Sequence, residues 1–270
     1  MSDLRLITEP NKIHLFLRKE KVALYDYRNL PGFLSLALEG GREVTRREEA
    51  DIPAIFSNLT VSEREKGGTT GTSTALQARV TDTMARRGTF SIGFRQSLEW
   101  RLREENKVIE TRTARLGASP CEGAALDFET RLDLVQENLT QEDVFSEFQH
   151  RFVVRLAPSL FGETSRVLNS AGSSTREEIA DLSAHWTSTI GVVGGETVGI
   201  ALLEHPDNPG FPNRCSLTET GILSVISRFS LTKPVTLQYR LVTFMAYVEA
   251  GWIEARWQEY SRRPAGFAPH

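Results

Sequence analysis

Apolar and polar residues alternate without a break from Thr89 to Leu102, TFSIGFRQSLEWRL. Phe90, Ile92, Phe94, Leu98, Trp100 and Leu102 fall on one side, interrupted only by Gln96. Thr89, Ser91, Arg95, Ser97, Glu99 and Arg101 fall on the other. A period of two is that of a β-strand with one face in a core and one in water. At about 3.4 Å per residue this strand would run roughly 45 Å, more than twice the ~17–20 Å of an ordinary strand. Only a large opposing sheet can cover it. The expected fold is all-β: a large antiparallel β-sandwich, supersandwich-like, with one C-terminal helix and a single domain spanning residues 1–270.

The same reading places the other elements. Lys12–Arg18 and Lys21–Arg28 read as short strands meeting at Lys19-Glu20. Leu34–Leu38 follows the turn Asn29-Leu30-Pro31-Gly32, where proline presets φ and glycine can take φ > 0. Glu104-Glu105-Asn106-Lys107 turns the long strand back into Val108–Leu116. Leu126–Leu134 sets Leu126, Phe128, Leu132 and Leu134 against Asp127, Glu129, Arg131 and Asp133. Ile190–Val193 and Thr197–Leu203 form a hairpin about Gly194-Gly195. Phe152–Leu156, Ile222–Phe229 and Val235–Thr243 add further strands. Thr140–Phe148 reads either as a helix capped by its TQED opening or as an irregular connection. Tyr247–Tyr260 is the firmer helix, with Val248, Trp252 and Ala255 on one face and Pro264 beyond its end.

Composition narrows the function. With 40% hydrophobic and 25% charged residues, 270 residues can build a proper core. A net charge of −3 gives no electrostatic footprint for nucleic acid. The opening MSDLRLITEPNK lacks the apolar core of a signal peptide, and no apolar run is long enough to span a bilayer, so a cytoplasmic location away from membranes is expected. Cys121 and Cys215 are too few for a disulfide framework. The five histidines (His14, His150, His185, His205, His270) never fall at i, i+2 or i, i+4, so no metal and no cofactor are expected. Neither a Walker lysine, a GxGxxG turn nor a GxSxG elbow occurs. Cys215 offers a nucleophile, though a lone cysteine is more simply a buried thiol.

One loop stands apart. Glu204–Pro212, EHPDNPGFP, carries three prolines in nine residues directly after an apolar strand. Proline stiffens a loop and lowers the entropic cost of holding polar groups in place. His205, Asp207 and Asn208 would then be displayed for binding or catalysis, or Asp207 and Asn208 simply satisfy the turn's own backbone.

Several runs occur in a recognisable order: Arg155-Leu156-Ala157-Pro158, Leu168-Asn169-Ser170-Ala171-Gly172, His185-Trp186, Gly195-Glu196-Thr197-Val198-Gly199-Ile200-Ala201, and Glu204-His205-Pro206-Asp207-Asn208-Pro209. They resemble the soluble bacterial and fungal family labelled "methane oxygenase PmoA", whose hallmark is a VGIAxxDHPxNPxxP run. Val44-Thr45-Arg46 and Trp100 extend the likeness toward the N-terminus. The resemblance implies a β-supersandwich similar to sugar-processing and sugar-binding proteins. A membrane copper-enzyme subunit, which the label suggests, would need spanning helices that this chain lacks.

The departures from that family bear on chemistry. Where it carries an HPHHRG-like segment, this chain has Asp51-Ile52-Pro53-Ala54-Ile55-Phe56-Ser57, with no histidine. Where it shows a Trp-His pair and an arginine past the proline-rich run, this chain has Cys215, Ser216 and Thr218. Near the family's aspartate-tyrosine stand Ser188-Thr189. Chemistry that depends on those ionisable groups cannot survive their loss. A small-molecule enzyme with an apolar pocket, a lyase, isomerase or cyclase, is one reading, with His205 as acid/base and Asp51 second. A non-catalytic ligand-binding or structural protein is another, and a carbohydrate-active enzyme a third. Arg46, Ile55, Phe56, Arg155, Asn169, Trp186, Asn208 and Cys215 are the candidate ligand contacts. The expected partner is a small apolar or aromatic molecule, and nothing in the sequence opposes a homo-oligomer.

Overall fold

The computed structural model describes residues 4–46, 52–62, 73–87, 91–101, 106–118, 123–136, 147–179 and 182–262. The strands in chain order are β1 (Leu4–Glu9), β2 (Lys12–Leu17), β3 (Glu20–Asp26), β4 (Gly32–Leu36), β5 (Ile55–Ser62), β6 (Ser73–Ala75), β7 (Ala78–Arg87), β8 (Ser91–Arg101) and β9 (Asn106–Ala118). There follow β10 (Ala124–Gln136), β11 (Glu147–Arg155), β12 (Arg166–Asn169), β13 (Leu182–Ser183), β14 (Trp186–Val193), β15 (Glu196–Glu204), β16 (Arg214–Leu217), β17 (Ile222–Phe229) and β18 (Val235–Phe244). The helices are the single turn α1 (Arg176–Ile179) and α2 (Ala250–Ser261).

The strands build two sheets. One has ten strands in the order β1-β2-β3-β4-β5-β11-β17-β16-β13, with β6 also paired to β5; the other has eight, in the order β12-β14-β15-β18-β10-β9-β8-β7. Pairing is antiparallel, as in β8–β9, β9–β10, β5–β11 and β11–β17. The expected β-sandwich with one substantial C-terminal helix is what forms. Among the described residues no helix is long and apolar enough to cross a membrane.

Alternation explains how the sheets face each other. Ile92, Phe94, Leu98 and Trp100 on β8 are each 2% exposed or less, whereas Arg95 and Arg101 are exposed. Glu99 differs from its expected exposure and is half-buried, held by Lys107 at 3.3 Å and Arg101 at 3.6 Å. Thr89, Phe90 and Leu102 lie outside the described residues. Gln96, the interruption in the apolar face, points into the same interior: its Oε1 accepts from Tyr25 Oη at 2.6 Å and its Nε2 donates to Thr83 Oγ1 at 3.0 Å. A buried amide is tolerated there because its polar atoms are matched.

The interior also holds a complete ion pair. Arg112 and Glu110 occupy successive inward positions of β9, and Arg112 Nε donates to Glu110 Oε1 at 2.7 Å. Arg112 further donates to Pro31 O at 2.9 Å, Ser57 Oγ at 2.9 Å and Tyr25 Oη at 3.3 Å, crossing to the ten-stranded sheet. Glu110 accepts from Trp100 Nε1 at 2.8 Å and Thr130 Oγ1 at 3.1 Å. Burial by itself would push Glu110 up, but the adjoining Arg112 charge and these hydrogen bonds hold it below the ordinary carboxylate range.

Turn chemistry behaves as expected at Gly194 and Gly195. Both take positive φ, 61° and 86°, and join β14 to β15 with Val193 opposite Glu196. Two such residues give a hairpin turn whose twist matches the strands, which is what glycine permits there.

The helix face needs correcting. Ile253 and Tyr260 are buried and Trp257 is half-buried between them, so α2 lays its i, i+4, i+7 stripe on the sheet. Ala255 is exposed, and Val248, though buried, precedes the helix. This stripe packs on Trp186, Ile190, Ala201, Leu203, Val242 and Phe244, the residues of β14, β15 and β18 that point away from the other sheet. Residues Thr140–Ser146 lie outside the described residues, and Glu147 and Phe148 open β11.

Candidate ligand-binding face

The sequence reading gathers its candidate residues into one pocket, and the sandwich separates them. In β5, Ile55 points between the sheets with Leu59 and Val61, so its neighbour Phe56 points outward. In β11, Phe148, Phe152 and Val154 face the interior, leaving Arg151, Val153 and Arg155 on the same outer face as Phe56. Trp186 and His205 lie by the other sheet: Trp186 belongs to its outer face beneath α2, and His205 sits edge-on to Tyr260 with ring centroids 5.3 Å apart. The two sheets therefore stand between Phe56 and Trp186. Asp51 lies outside the described residues.

His205 is closed in. It is 1% exposed, and its Nδ1 accepts from the backbone N–H of Asp207 at 3.2 Å. The rest of the proline-rich loop is tied down by its own polar groups. Asn208 donates to Gln238 O at 2.9 Å and accepts from Gln238 N at 2.7 Å, splicing the loop to β18. Glu204, at an inward position closing β15, accepts from Asn213 N at 2.8 Å, from Asn213 Nδ2 and from Asn208 Nδ2 at 3.3 Å. Burial pushes its carboxyl above the ordinary range despite those donors. These bonds anchor the loop to the ends of β15 and β18.

Cys215 is also interior. It is 1% exposed, and burial pushes its thiol up to about 12 against the opposing pull of the neighbouring Thr187 hydroxyl. Such a thiol stays protonated and unreactive at neutral pH. Asn169, 3% exposed, ends β12 and folds the following turn, its Oδ1 accepting from Ala171 N at 3.0 Å and Ser173 N at 2.9 Å.

Arg46 and Arg155 do come together. Arg46 N donates to Arg155 O at 3.0 Å, beside the bridge between Thr45 and Leu156. The Arg46 guanidinium lies 5.0 Å from the Phe161 ring centre and donates to Thr220 O. That of Arg155 lies 5.5 Å from the Phe56 ring centre. Burial, and then the like charge of Arg46, lower Arg155 below its ordinary value. Two registers along β11, Arg151 reaches Ser224 Oγ at 3.3 Å with both Nε and a terminal nitrogen. Between these arginines Phe56, Val153 and Ser224 are 8%, 4% and 0% exposed, although they face away from the opposing sheet. Neighbouring side chains cover this part of the outer face, Arg155 over the Phe56 ring and Arg151 on Ser224.

A second constellation involves residues that alternation cannot reveal. Glu254 of α2 accepts at Oε2 from Trp186 Nε1 at 2.8 Å and meets His185 Nε2 at 3.0 Å. Burial alone would raise the Glu254 carboxyl, but the Trp186 and His185 hydrogen bonds hold it low, so it is ionised at neutral pH. The His185 ring lies 4.1 Å from Trp257, and Trp257 is parallel to Phe211 within 4° at 6.1 Å. The side chains of His185 and Glu254 are 26% and 34% exposed, so water reaches this pair and not His205. Among the described residues no group of three His, Cys, Asp or Glu side chains could hold a metal ion.

Residues 60–258 match the model of a protein family described as a family of unknown function, DUF6807. The chain belongs to that family. The match begins within β5 and takes in the eight-stranded sheet, the proline-rich loop, the His185-Trp186 pair and most of α2. No curated protein matches the sequence. Among solved structures, the chain is similar to the 4-alpha-glucanotransferase of Thermococcus litoralis at 8% identity and a TM-score of 0.42, covering 91% of this chain and 40% of that one. It is similar to a putative kojibiose phosphorylase from human microbiome at 8% identity and a TM-score of 0.41, covering 98% of this chain and 37% of that one. The chain thus spans well under half the length of either, and likeness at this level carries no chemistry across.

Proposed function

We propose that the chain is a small-molecule-binding protein whose ligand seats on the outer face of the ten-stranded sheet beside Phe56 and Arg155. The observation that carries this is the burial of Phe56, Val153 and Ser224 on a face with no opposing sheet, ringed by Arg46, Arg151 and Arg155. An apolar floor with a few convergent polar groups is the usual composition of a ligand seat. A thermal-shift screen of small aromatic and carbohydrate compounds should return binders whose Tm rise is lost in Phe56→Ala. Hits indifferent to Phe56→Ala would place the seat elsewhere, and a screen with no hits would sink the reading.

Catalysis is the second reading, favoured by the His185–Glu254 pair. A carboxylate that fixes one ring nitrogen leaves the other to exchange protons, and this pair is open to water where His205 is not. If the chain is an enzyme, His185→Gln should cut turnover at least ~10²-fold while His205→Phe leaves the rate constant of folded protein intact. The reverse pattern would return the role to His205.

A further inference from the structure

Resting on the catalytic reading of the His185–Glu254 pair, we infer that Trp186 is a positioning residue: its indole N–H holds the Glu254 carboxylate on His185 Nε2, so that Nδ1 is the atom that takes up the substrate's proton. His185 lies just before β14, outside its alternation, and two consecutive side chains therefore reach one oxygen. Trp186 Nε1 and His185 Nε2 stand 2.8 Å and 3.0 Å from Glu254 Oε2. Gln258 Nε2 donates to the other oxygen, Oε1, at 3.2 Å, so both ends of the carboxylate are held. The imidazole is fixed as well. Its backbone N–H donates to Ser170 Oγ at 2.9 Å, and its carbonyl accepts from Glu204 N at 2.9 Å. Trp257 lies 4.1 Å from the ring and is itself tied through Nε1 to Glu204 O at 2.8 Å.

The tautomer follows from the chemistry of the partners. An ionised carboxylate has no proton to give, so the ring nitrogen facing it must be the one that carries hydrogen. Burial raises the Glu254 carboxyl, and the Trp186 bond is the largest of the effects that bring it below the ordinary range. A carboxyl without that donor could turn about its own side-chain torsions and leave Nε2, and either ring nitrogen would then carry the hydrogen. Among the described residues nothing hydrogen-bonds Nδ1, and the His185 side chain is 26% exposed. A proton passed to Nδ1 leaves its bonding electrons on the substrate and forms the new N–H bond from the Nδ1 lone pair. Nε2 keeps its hydrogen throughout, and the positive charge on the ring is set against Glu254. Return of the proton from Nδ1 to the product closes the cycle with no further reactant.

The test is nitrogen NMR of the uniformly labelled whole chain at about pH 8.5, where an ordinary imidazole is neutral. His185 should show a single tautomer, hydrogen on Nε2 and a bare Nδ1, with its signals assigned by their absence in His185→Gln. Trp186→Phe keeps an aromatic ring and removes the donor, and Glu254→Ala removes the acceptor. In both variants the two His185 nitrogen shifts should move toward the averaged values of a free imidazole. An unfolding melt separates loss of the donor from loss of the fold. If Trp186→Phe unfolds, Glu254→Ala carries the test: it should move the Trp186 indole N–H signal upfield together with the His185 shifts. A mixed tautomer in the native protein, hydrogen on Nδ1, an unmoved indole signal, or a native-like spectrum in folded Trp186→Phe would overturn the positioning role and leave the acid/base reading standing. That reading fails separately. Diethyl pyrocarbonate acylates a bare imidazole nitrogen, so it should modify His185 and spare His150 and His205, both 1% exposed. A His185 spared along with them, its tautomer still fixed, would overturn the catalytic reading and the proton uptake at Nδ1, leaving Trp186 a structural donor.

Discussion

Replacing Arg112 with methionine should destabilise the protein by about 3–5 kcal/mol in urea unfolding at pH 7. Arg112 is 1% exposed and Glu110 is fully buried. Methionine fills much of the volume of arginine but removes the cation, so the cost comes from what stays behind. Among the described residues Glu110 would keep only Trp100 Nε1 and Thr130 Oγ1 as donors, in an interior that solvates charge poorly. Ser57 Oγ, Pro31 O and Tyr25 Oη would each lose their bond to Arg112 at the same time. Burial already pushes the Tyr25 hydroxyl up to about 12, so it stays neutral and keeps its hydrogen bond to Gln96. The cost therefore belongs to a stranded carboxylate rather than to the intrinsic worth of a salt bridge. Removing both charges separates these: Glu110→Leu with Arg112→Met should be more stable than Arg112→Met alone, because no buried charge remains. A loss below about 1 kcal/mol for the single change would mean that water reaches Glu110 and that the two sheets do not close over it.

The sandwich could be read from the sequence because half-buried strands announce themselves. β8 and β10 each show one apolar and one charged face, and that pattern has no other cheap explanation. The polar residues on the apolar faces were harder to interpret. Gln96 reads as an interruption because a local pattern cannot show what stands opposite. Its partner, Tyr25, is 71 residues away in the chain. The helix was legible in position but not in orientation. Its buried stripe is set by the grooves of β14, β15 and β18, and several short arcs of an apolar helix are equally plausible from sequence alone.

Strand geometry separates several of the candidate residues. Ile55 and Phe56 are adjacent in β5, so they point to opposite faces, and the sequence pattern offers no strand there that could have shown it. Likewise Trp186 and Thr187 diverge, the first beneath α2 and the second toward Cys215. Arg46 and Arg155 survived as a pair because backbone pairing joins their segments directly. Glu254 carried no signal at all. It sits in a charged stretch of the helix, and only docking of α2 brings it onto His185 and Trp186.

Lowering the pH from about 7 to about 4 should destabilise the protein through His150, by roughly 3 kcal/mol from this group alone. His150 is 1% exposed, and neither ring nitrogen has a partner among the described residues. Its ring stacks on Tyr239 within 7° at a centroid distance of 6.0 Å, as an apolar ring would. Burial is the main cause of its shift down to about 4, with the Glu110 charge opposing and the Arg112 charge reinforcing. In the unfolded chain the same imidazole titrates near its ordinary value of 6.5. Between those two values the unfolded state binds a proton that the folded state refuses. Stability from this group is therefore complete above about 6.5 and is lost as the pH falls toward 4. Glu204 acts in the opposite sense over part of the range, since its carboxyl is raised and the folded state takes up its proton first. Glu110, held low, adds its own loss only in more acidic solution. A comparison with His150→Phe removes those contributions, because phenylalanine keeps the stack on Tyr239 and cannot titrate. Urea unfolding across this range should show the native protein losing about 3 kcal/mol relative to the variant, with the two profiles parallel above pH 7. Profiles that stay parallel down to pH 4 would mean that His150 accepts its proton in the folded state, and hence that the space around it is open to water.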